Sequence, residues 1–264
     1  MSQMRQTINA AVLVAVLLLI WAGAAGANQR HIRIAAAADL KFALDEIIES
    51  FHRQSHDIKA EVTYGSSGNF YAQLSNRAPF DIYFSADVDY PRKLIEQGMA
   101  DKHTEFIYAV GRIVVWVPRR STIDLESLGI QALLDPSIRK IGIANPKHAP
   151  YGRAAEAAMR KLGVYDQVQE RLVFGENIAQ TAQFVQTGAA DIGIIAMALA
   201  LAPALRGEGR YWEIPLEAYP RMDQGGVILP WARDMAAARE LRAFVLSAEG
   251  KAVLRRYGFF LPGE

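Results

Sequence analysis

The sequence of 264 residues contains no cysteine, which excludes disulfides, iron–sulfur clusters, thiolate zinc sites and cysteine nucleophiles. It also lacks an excess of charge of either sign, because 29 Lys and Arg residues are balanced by 28 Asp and Glu residues. No basic run is present, so we expect no nucleic-acid partner. Phosphate-loop and dinucleotide-binding fingerprints are absent too. What remains is an ordinary globular composition, with 51% hydrophobic and 22% charged residues.

The first 27 residues have the composition of a secretory signal peptide. A single cation, Arg5, precedes an uninterrupted apolar run at 10–22, which is shorter than the roughly 20 residues that a membrane-spanning helix needs. The small residues Ala25, Gly26 and Ala27 follow, so we expect cleavage after Ala27 and export of a soluble protein to the periplasm. An uncleaved anchor is the alternative, whereas a lipoprotein would require a cysteine.

From residue 31 onward, short apolar runs alternate with amphipathic stretches, which is the pattern of a parallel α/β sheet. The apolar runs predict strands at 31–38, 58–64, 81–85, 112–117, 140–144, 171–174, 191–197 and 226–229. Between them, apolar residues recur every three or four positions, as at Leu40, Leu44, Ile47 and Phe51. This spacing predicts helices that pack one face on a sheet.

The order strand, helix, strand, helix, strand occurs twice, at 31–85 and at 140–197, which predicts two lobes built on one plan. Lobes of this size are common domains. The expected division is a signal peptide at 1–27, a first lobe formed by 28–109 with 213–264, and a second lobe formed by 110–212.

Two further helices are predicted at the end of the chain, at 234–246 and 248–257, and are assigned to the first lobe. The chain then crosses between the lobes near 107–112 and again near 210–226. Two crossings form a two-strand hinge, with a cleft for a ligand between the lobes.

Four loops are placed to bind a ligand in that cleft. In open α/β sheets, ligands bind at the carboxyl ends of strands, where helix N-termini point N–H groups into the crevice. Loops at 38–40, 64–69, 144–152 and 175–178 occupy such positions, and Asp39 and Asn177 are predicted to cap the helices that follow. The second loop adds the hydroxyls of Ser66 and Ser67. Because each helix end carries about half an elementary charge, this arrangement indicates oxyanion binding.

Six stretches of the chain also carry a family resemblance: AAAADLKFALDEI at 35–47, VTYGSSGNFYAQL at 62–74, PFDIYFSAD at 79–87, IANPKHAPYGRAAEAAM at 143–159, FGENIAQTAQFVQTGAADIGII at 174–195 and RRYGFFLP at 255–262. Together they resemble the periplasmic molybdate-binding proteins of ABC importers. The resemblance implies a two-lobed periplasmic binding protein fold, each lobe a mainly parallel sheet flanked by helices. It also implies a monomer, not an enzyme, that binds molybdate or tungstate without metal or cofactor and delivers it to a membrane permease.

The resemblance places the family's anion ligands on Asp39, on Ser67 beside Ser66, on Tyr151 and on the backbone N–H of Ile178. Tyr151 matches members that have tyrosine at this position, whereas others have alanine there and take a tyrosine from the position of Ala196. Asp39 departs from the pattern, because many members have Ser, Thr or Asn there.

The carboxylate of Asp39 would repel a dianion. Two unit charges about 4 Å apart interact by roughly 4 kcal/mol at an effective dielectric of 20, and a dianion doubles this cost. Two hypotheses follow. Asp39 caps its own helix and offers only backbone N–H groups, which is compatible with molybdate and which we favour because Asp is a common N-cap. Alternatively, it accepts a proton from a protonated anion, which points to hydrogen phosphate or arsenate.

Other functional interpretations of single residues are weaker. Ser67 could be a hydrolase nucleophile with His148 as its base, but Gly65-Ser66-Ser67-Gly68 is not a nucleophile elbow. His52 and His56 have the spacing of two zinc ligands without a catalytic glutamate, so we expect no metal. Asp87 and Asp89 are expected to cap the next helix. Lys147 and Arg153 are expected to be exposed cations. The fold also serves transcription regulators, but here an export signal replaces their DNA-binding motif.

Overall fold

A computed structural model describes residues 29–264, so the signal peptide expected at 1–27 lies outside the described residues. Within that part of the chain, no helix is both long enough and apolar enough to cross a membrane. The described residues form two five-stranded sheets.

The first sheet contains β1 (Arg30–Ala37), β2 (Ile58–Gly65), β3 (Ile82–Ser85), β4 (Phe106–Gly111) and β10 (Met222–Ile228) in the order β2-β1-β3-β10-β4. β1 runs parallel to β2 and β3, while β10 runs antiparallel to both β3 and β4. Four strands therefore share one direction, and β10 is the reversed one. β3 and the second half of β1 are completely buried, as expected for inner strands covered on both faces.

The second sheet contains β5 (Ile113–Pro118), β6 (Ile141–Ala144), β7 (Leu172–Gly175), β8 (Ile192–Ala196) and β9 (Gly209–Glu213) in the order β7-β6-β8-β5-β9. β6 runs parallel to β7 and β8, and β5 runs antiparallel to β8 and β9. In both sheets, three neighbouring strands run parallel, the fourth strand is antiparallel to its neighbours, and the fifth lies beyond it at the edge. This confirms the predicted α/β fold with two mainly parallel sheets built on one plan.

The helices are α1 (Lys41–Gln54), α2 (Ser67–Ser75), α3 (Asp89–Glu96), α4 (Leu125–Leu128), α5 (Pro150–Lys161), α6 (Tyr165–Val168), α7 (Ile178–Thr187), α8 (Met197–Ala200), α9 (Met235–Val245) and α10 (Ala248–Arg256). Short 3-10 turns lie at Ala38–Leu40, Lys102–Thr104, Gly129–Leu134, Gln169–Arg171 and Leu216–Ala218. We call the first sheet with its helices the first lobe, and the second sheet with its helices the second lobe.

Several boundaries differ from the sequence-based expectation. β4 and β9 lie where the chain was expected only to cross between lobes, and β10 begins at Met222 instead of residue 226. β9 is an edge strand with mostly exposed side chains, so it has no apolar run to reveal it. α2 and α5 each begin three residues earlier than predicted. In α5 this places Pro150 at the first helical position, which its fixed backbone angle suits.

The two C-terminal helices cover one face of the first sheet. Ala237, Leu241 and Val245 of α9 and Leu254 of α10 belong to the same buried cluster as Ile32 of β1. The apolar side chains of these helices recur with helical spacing and form one face. Through this face, the end of the chain packs against β1, near its beginning.

We predict that Leu241→Ala lowers the free energy of unfolding by about 2–5 kcal/mol, because Leu241 is completely buried and its removal leaves a cavity. Urea unfolding followed by circular dichroism measures this loss. Arg239→Ala on the exposed side of the same helix is the control and should change stability by less than about 0.5 kcal/mol. Equal effects of the two substitutions would contradict the packing of α9 on the first sheet.

Candidate functional site

One small cavity between the lobes brings all five predicted site residues together. The space open to the centre of a water molecule is only about 10 Å³, and the cavity is lined by Asp39, Ser66, Ser67, Tyr151 and Ile178 together with Ala37, Ala38, Gly65, Ala86, Ala149 and Pro150. Each of the five predicted residues is 4% exposed or less. No Lys or Arg is found among the described residues that line the cavity. The role of the five predicted residues as ligands stays a prediction.

Helix N-termini from both lobes converge on this cavity. Ser67 is the first residue of α2, Tyr151 the second of α5 and Ile178 the first of α7. N–H groups in the first turn have no acceptor within their own helix. As predicted, Asn177 is the N-cap of α7, and its Oδ1 accepts from the N–H groups of Ala179 and Gln180, both at 3.0 Å. The N–H of Ile178 is not used by that cap, and the helix ends make the cavity electropositive.

Ser67 is held by two hydrogen bonds. Its side-chain Oγ accepts from the N–H of Ala86 at 3.0 Å, and its backbone carbonyl oxygen accepts from the Tyr83 hydroxyl at 2.7 Å. Because the hydroxyl oxygen already accepts a hydrogen bond, its own proton can be donated to an acceptor in the cavity. Ser67 is therefore oriented as a donor.

The loop around Ser66 meets the other lobe directly. Ser66 Oγ lies 3.0 Å from His148 Nδ1, and the N–H of Gly68 donates to the His148 carbonyl at 2.9 Å. Nearby, Asn69 Nδ2 donates to Glu176 Oε1 at 3.1 Å. A Cβ on Gly68 would lie only 2.6 Å from the carbonyl oxygen of His148, so the close approach requires glycine. These contacts hold the two lobes against each other.

Asp39 does not cap a helix, so the favoured hypothesis about its carboxylate is wrong. Asp39 is the middle residue of the 3-10 turn Ala38–Leu40, whose N-cap is Ala37, and α1 begins after Leu40 without any side-chain cap. An N-cap residue has a non-helical backbone. Because Asp39 already lies inside a helical turn, its side chain is directed to other partners.

The carboxylate of Asp39 joins residues from both lobes. Its Oδ2 accepts from the Tyr151 hydroxyl at 2.9 Å and from Gln224 Nε2 at 2.8 Å. Gln224 Nε2 also donates to the Tyr151 oxygen at 2.9 Å. We call Asp39, Tyr151 and Gln224 the interlobe triad. Within the described part of the chain, Asp39 Oδ1 and Gln224 Oε1 have no hydrogen-bond partner.

Burial controls the protonation of the triad. Loss of hydration raises the pKa of Asp39 to about 6, although hydrogen bonds from Gln224 and Tyr151 partly oppose this shift. The pKa of Tyr151 is raised well above its ordinary value, first by burial and then by the neighbouring Asp39. The phenol therefore keeps its proton, and Asp39 is the group that titrates.

Gln224 was missed by sequence reasoning, which began the last strand at residue 226. Its strand, β10, has a register shift against β4 between Gln224 and Gly225, and such bulges redirect side chains. On β4, a Cβ at Gly111 would lie 2.7 Å from both Gln224 Nε2 and the Tyr151 hydroxyl, so glycine leaves room for the triad. Gln224 is completely buried, and the only trace of this in the sequence is the pair of glycines that follows it.

Asp87 and Arg153 form a second contact between the lobes, outside the cavity. Asp87 Oδ1 accepts from the N–H of Asp89, the first residue of α3, at 2.9 Å, but the N-cap of this helix is Val88, which makes no side-chain cap, so the expectation that Asp87 and Asp89 cap the helix is wrong. Arg153 Nη2 of α5 donates to Asp87 Oδ2 at 2.5 Å, and its guanidinium stacks over Tyr90. Arg153 is thus tied to the first lobe, which differs from the free cation expected, whereas Lys147 is exposed.

The two histidines with zinc-like spacing have other surroundings. His52 Nε2 accepts from the N–H of Ala60 at 3.3 Å, while His56 is exposed. Among residues 29–264, no group of three or more His, Asp or Glu side chains is arranged to hold a metal ion.

The raised pKa of Asp39 predicts a pH-dependent stability. Below about pH 4 both folded and unfolded chains carry the proton, and between about pH 4 and 6 only the folded chain keeps it. Stability therefore falls as the pH rises through this range, by up to roughly 3 kcal/mol. We expect Asp39→Asn, which is uncharged, to be more stable than the natural protein at pH 7 and equal to it at pH 4. Urea unfolding at both pH values tests this, and parallel pH profiles would contradict it.

Comparison with known proteins identifies the family. The family model described as bacterial extracellular solute-binding protein matches residues 32–260. The chain is 33% identical over 260 residues to the molybdate-binding protein ModA of Rhodobacter capsulatus. This match covers 98% of this chain and 99% of that protein. It is 32% identical over 238 residues to the molybdate-binding protein ModA of Azotobacter vinelandii, covering 90% and 93% respectively.

A solved structure agrees with these matches. The periplasmic molybdate-binding protein of Azotobacter vinelandii superposes with a TM-score of 0.80 at 30% identity, covering 88% of this chain and 99% of that one. The two-lobed periplasmic binding protein fold is therefore shared over nearly the whole described chain. The chain belongs to the family of bacterial extracellular solute-binding proteins.

Proposed function

We propose that this protein is the solute-binding component of an ABC importer and that it captures molybdate or tungstate. The observation that carries this proposal is the cavity between the lobes, where hydroxyls and three helix N-termini converge without any cationic side chain among the described lining residues. Such a site binds a compact anion by hydrogen bonds. The relatives named molybdate-binding proteins support molybdate as the anion.

The proposed ligands come from both lobes. Ser66, Ser67 and the turn of Asp39 contribute from the first lobe, while Tyr151 and the N–H of Ile178 contribute from the second. An anion bound by all of them links the lobes. We propose two lobes close to the expected division into 28–109 with 213–264 and 110–212. The crossings lie one or two residues further along the chain than expected, because β4 of the first sheet ends at Gly111 and β9 of the second sheet ends at Glu213.

The site does not favour the hydrolase alternative. Ser67 Oγ accepts from the Ala86 N–H, and His148, the only base proposed for it, is hydrogen-bonded to Ser66 instead. A nucleophilic serine needs a base within hydrogen-bond reach. The named relatives are binding proteins, and we propose that this chain likewise has no enzymatic activity.

We further propose that the mature protein acts as a monomer in the periplasm, after cleavage behind Ala27, and delivers its anion to a permease in the inner membrane. The relative of similar structure is described as periplasmic, and the family model is described as extracellular. A permease can select the loaded protein if anion binding changes the relative position of the lobes.

The first test is anion binding by residues 28–264. At about a thousand times its Kd, a ligand should stabilise the protein by roughly 4 kcal/mol. We expect molybdate and tungstate to raise the melting temperature and phosphate and arsenate to leave it unchanged. Ser67→Ala removes one donor and should weaken molybdate binding by about 10- to 100-fold in calorimetry. Stabilisation by phosphate or arsenate alone would contradict molybdate as the cargo.

Closure of the lobes is tested at Gly68. In Gly68→Ala the added Cβ would meet the His148 carbonyl across the interface, so molybdate binding should weaken by roughly tenfold or more. Small-angle scattering should show compaction with molybdate in the natural protein and less in the variant. Gln73→Ala, an exposed change on the same helix, is the control. Unchanged affinity in Gly68→Ala would contradict closure through this contact.

A further inference from the structure

Asp39 of the interlobe triad is an acceptor among residues that otherwise offer donors to the cavity. Asp39 is 1% exposed, and its Oδ1 has no hydrogen-bond partner in the described part of the chain. Asp39 lines the same cavity as Ser67 and Ile178. An oxyanion in this cavity offers only lone pairs, so it cannot satisfy an ionised carboxylate oxygen. The ionised carboxylate and the anion that we propose for this site would therefore both lack a donor where they meet.

The donors of the triad are already used in this structure. The single proton of Tyr151 and both amide protons of Gln224 are directed to Asp39 Oδ2 and to the phenol oxygen. None of them reaches Asp39 Oδ1. A proton on Oδ1 would turn this oxygen from an acceptor without a partner into a hydrogen-bond donor toward the anion.

No positive charge near Asp39 removes the need for that proton. The groups that face it are Tyr151 from α5, Tyr108 from β4, the neutral amide of Gln224 from β10 and the backbone N–H groups of its own turn, at Asp39 and Leu40. Neither Lys nor Arg forms a hydrogen bond or an ion pair with Asp39 in the described chain, and the imidazole of His148 contacts Ser66. Both phenols are uncharged and add no compensation.

We propose that the site binds its oxyanion together with one proton, which is held between Asp39 Oδ1 and an oxygen of the anion. This inference rests on the proposed function and defines which form of the anion the site takes. No bond other than O–H changes: with a fully ionised anion such as molybdate, the acid form of the buffer gives up the proton and becomes its conjugate base, and with a hydrogen oxyanion the ligand brings it. In both cases the complex carries one proton more than an ionised Asp39 with a bare dianion.

Calorimetry of molybdate binding in several buffers of different ionisation enthalpy measures the proton directly. Between pH 7 and 8.5 we expect uptake of about one proton per molybdate, and Kd should rise about tenfold per pH unit. Tungstate should behave in the same way. Because the natural protein alone reports the uptake, this result does not depend on the folding of any variant.

Substitutions assign the proton to Asp39. Asp39→Asn should abolish the uptake, remove the pH dependence and bind molybdate more tightly than the natural protein at pH 8.5. Asp45→Asn is the matched control, since Asp45 also accepts from a tyrosine hydroxyl, that of Tyr64 at 2.5 Å, but on the exposed face of α1. His148→Gln excludes the imidazole as the acceptor. Both controls should keep the uptake, and Ser67→Ala should weaken binding equally at every pH.

The outcomes separate this inference from the proposed function. Molybdate binding without proton uptake, or uptake that persists in Asp39→Asn, would overturn the proton proposal alone. Failure of both molybdate and tungstate to bind the folded protein at any pH from 5 to 8.5 would overturn the proposed function, and this inference with it.

Discussion

The arrangement of the site depends on one buried carboxylate that both lobes share. Asp39 lies just after β1 of the first sheet and accepts from Tyr151 of the second lobe and from Gln224. Moving a carboxylate out of water costs several kcal/mol unless hydrogen bonds replace the lost hydration. Here two donors serve one oxygen, and the other oxygen is left without a partner in the described chain. The surrounding cavity must therefore provide what the carboxylate lacks.

The convergence of helix N-termini provides donors for the anion but leaves one oxygen of Asp39 without a partner. α2, α5 and α7 begin at the cavity and contribute N–H groups that have no partner within their own helices. Such donors are fixed by the fold, so they do not have to be reorganised when the anion binds. A lysine or arginine would instead pair directly with Asp39 and cancel the charge that makes the site respond to protons. Because the donors of the cavity are neutral, the charge of the Asp39 carboxylate is not cancelled by a neighbouring side chain, and its protonation depends on the ligand.

The sequence predicted the parts of this structure that local patterns encode. Buried parallel strands appear as apolar runs, and Asn177 was recognised as a cap because its signal is local. β9 was missed because its side chains are mostly exposed, and Gln224 because a bulge in β10 sets its direction. Asp39 was misassigned for a related reason. Its partners lie 112 and 185 residues away along the chain, and no local pattern reveals that the two lobes bring them together.

The balance between open and closed lobes follows from the same contacts. Asp87 and Arg153 are partly exposed, and such ion pairs contribute only about 0–1 kcal/mol each. Asn69 and Glu176 also meet near the surface. Against these weak attractions stands the buried carboxylate, which regains hydration when the lobes separate. Without an anion, closure gains little and confines an unsatisfied oxygen. An anion that brings a proton satisfies that oxygen and uses the helix N-termini at once. The free energy that closes the lobes then comes mainly from the bound anion, so the closed form is the form in which the site is filled.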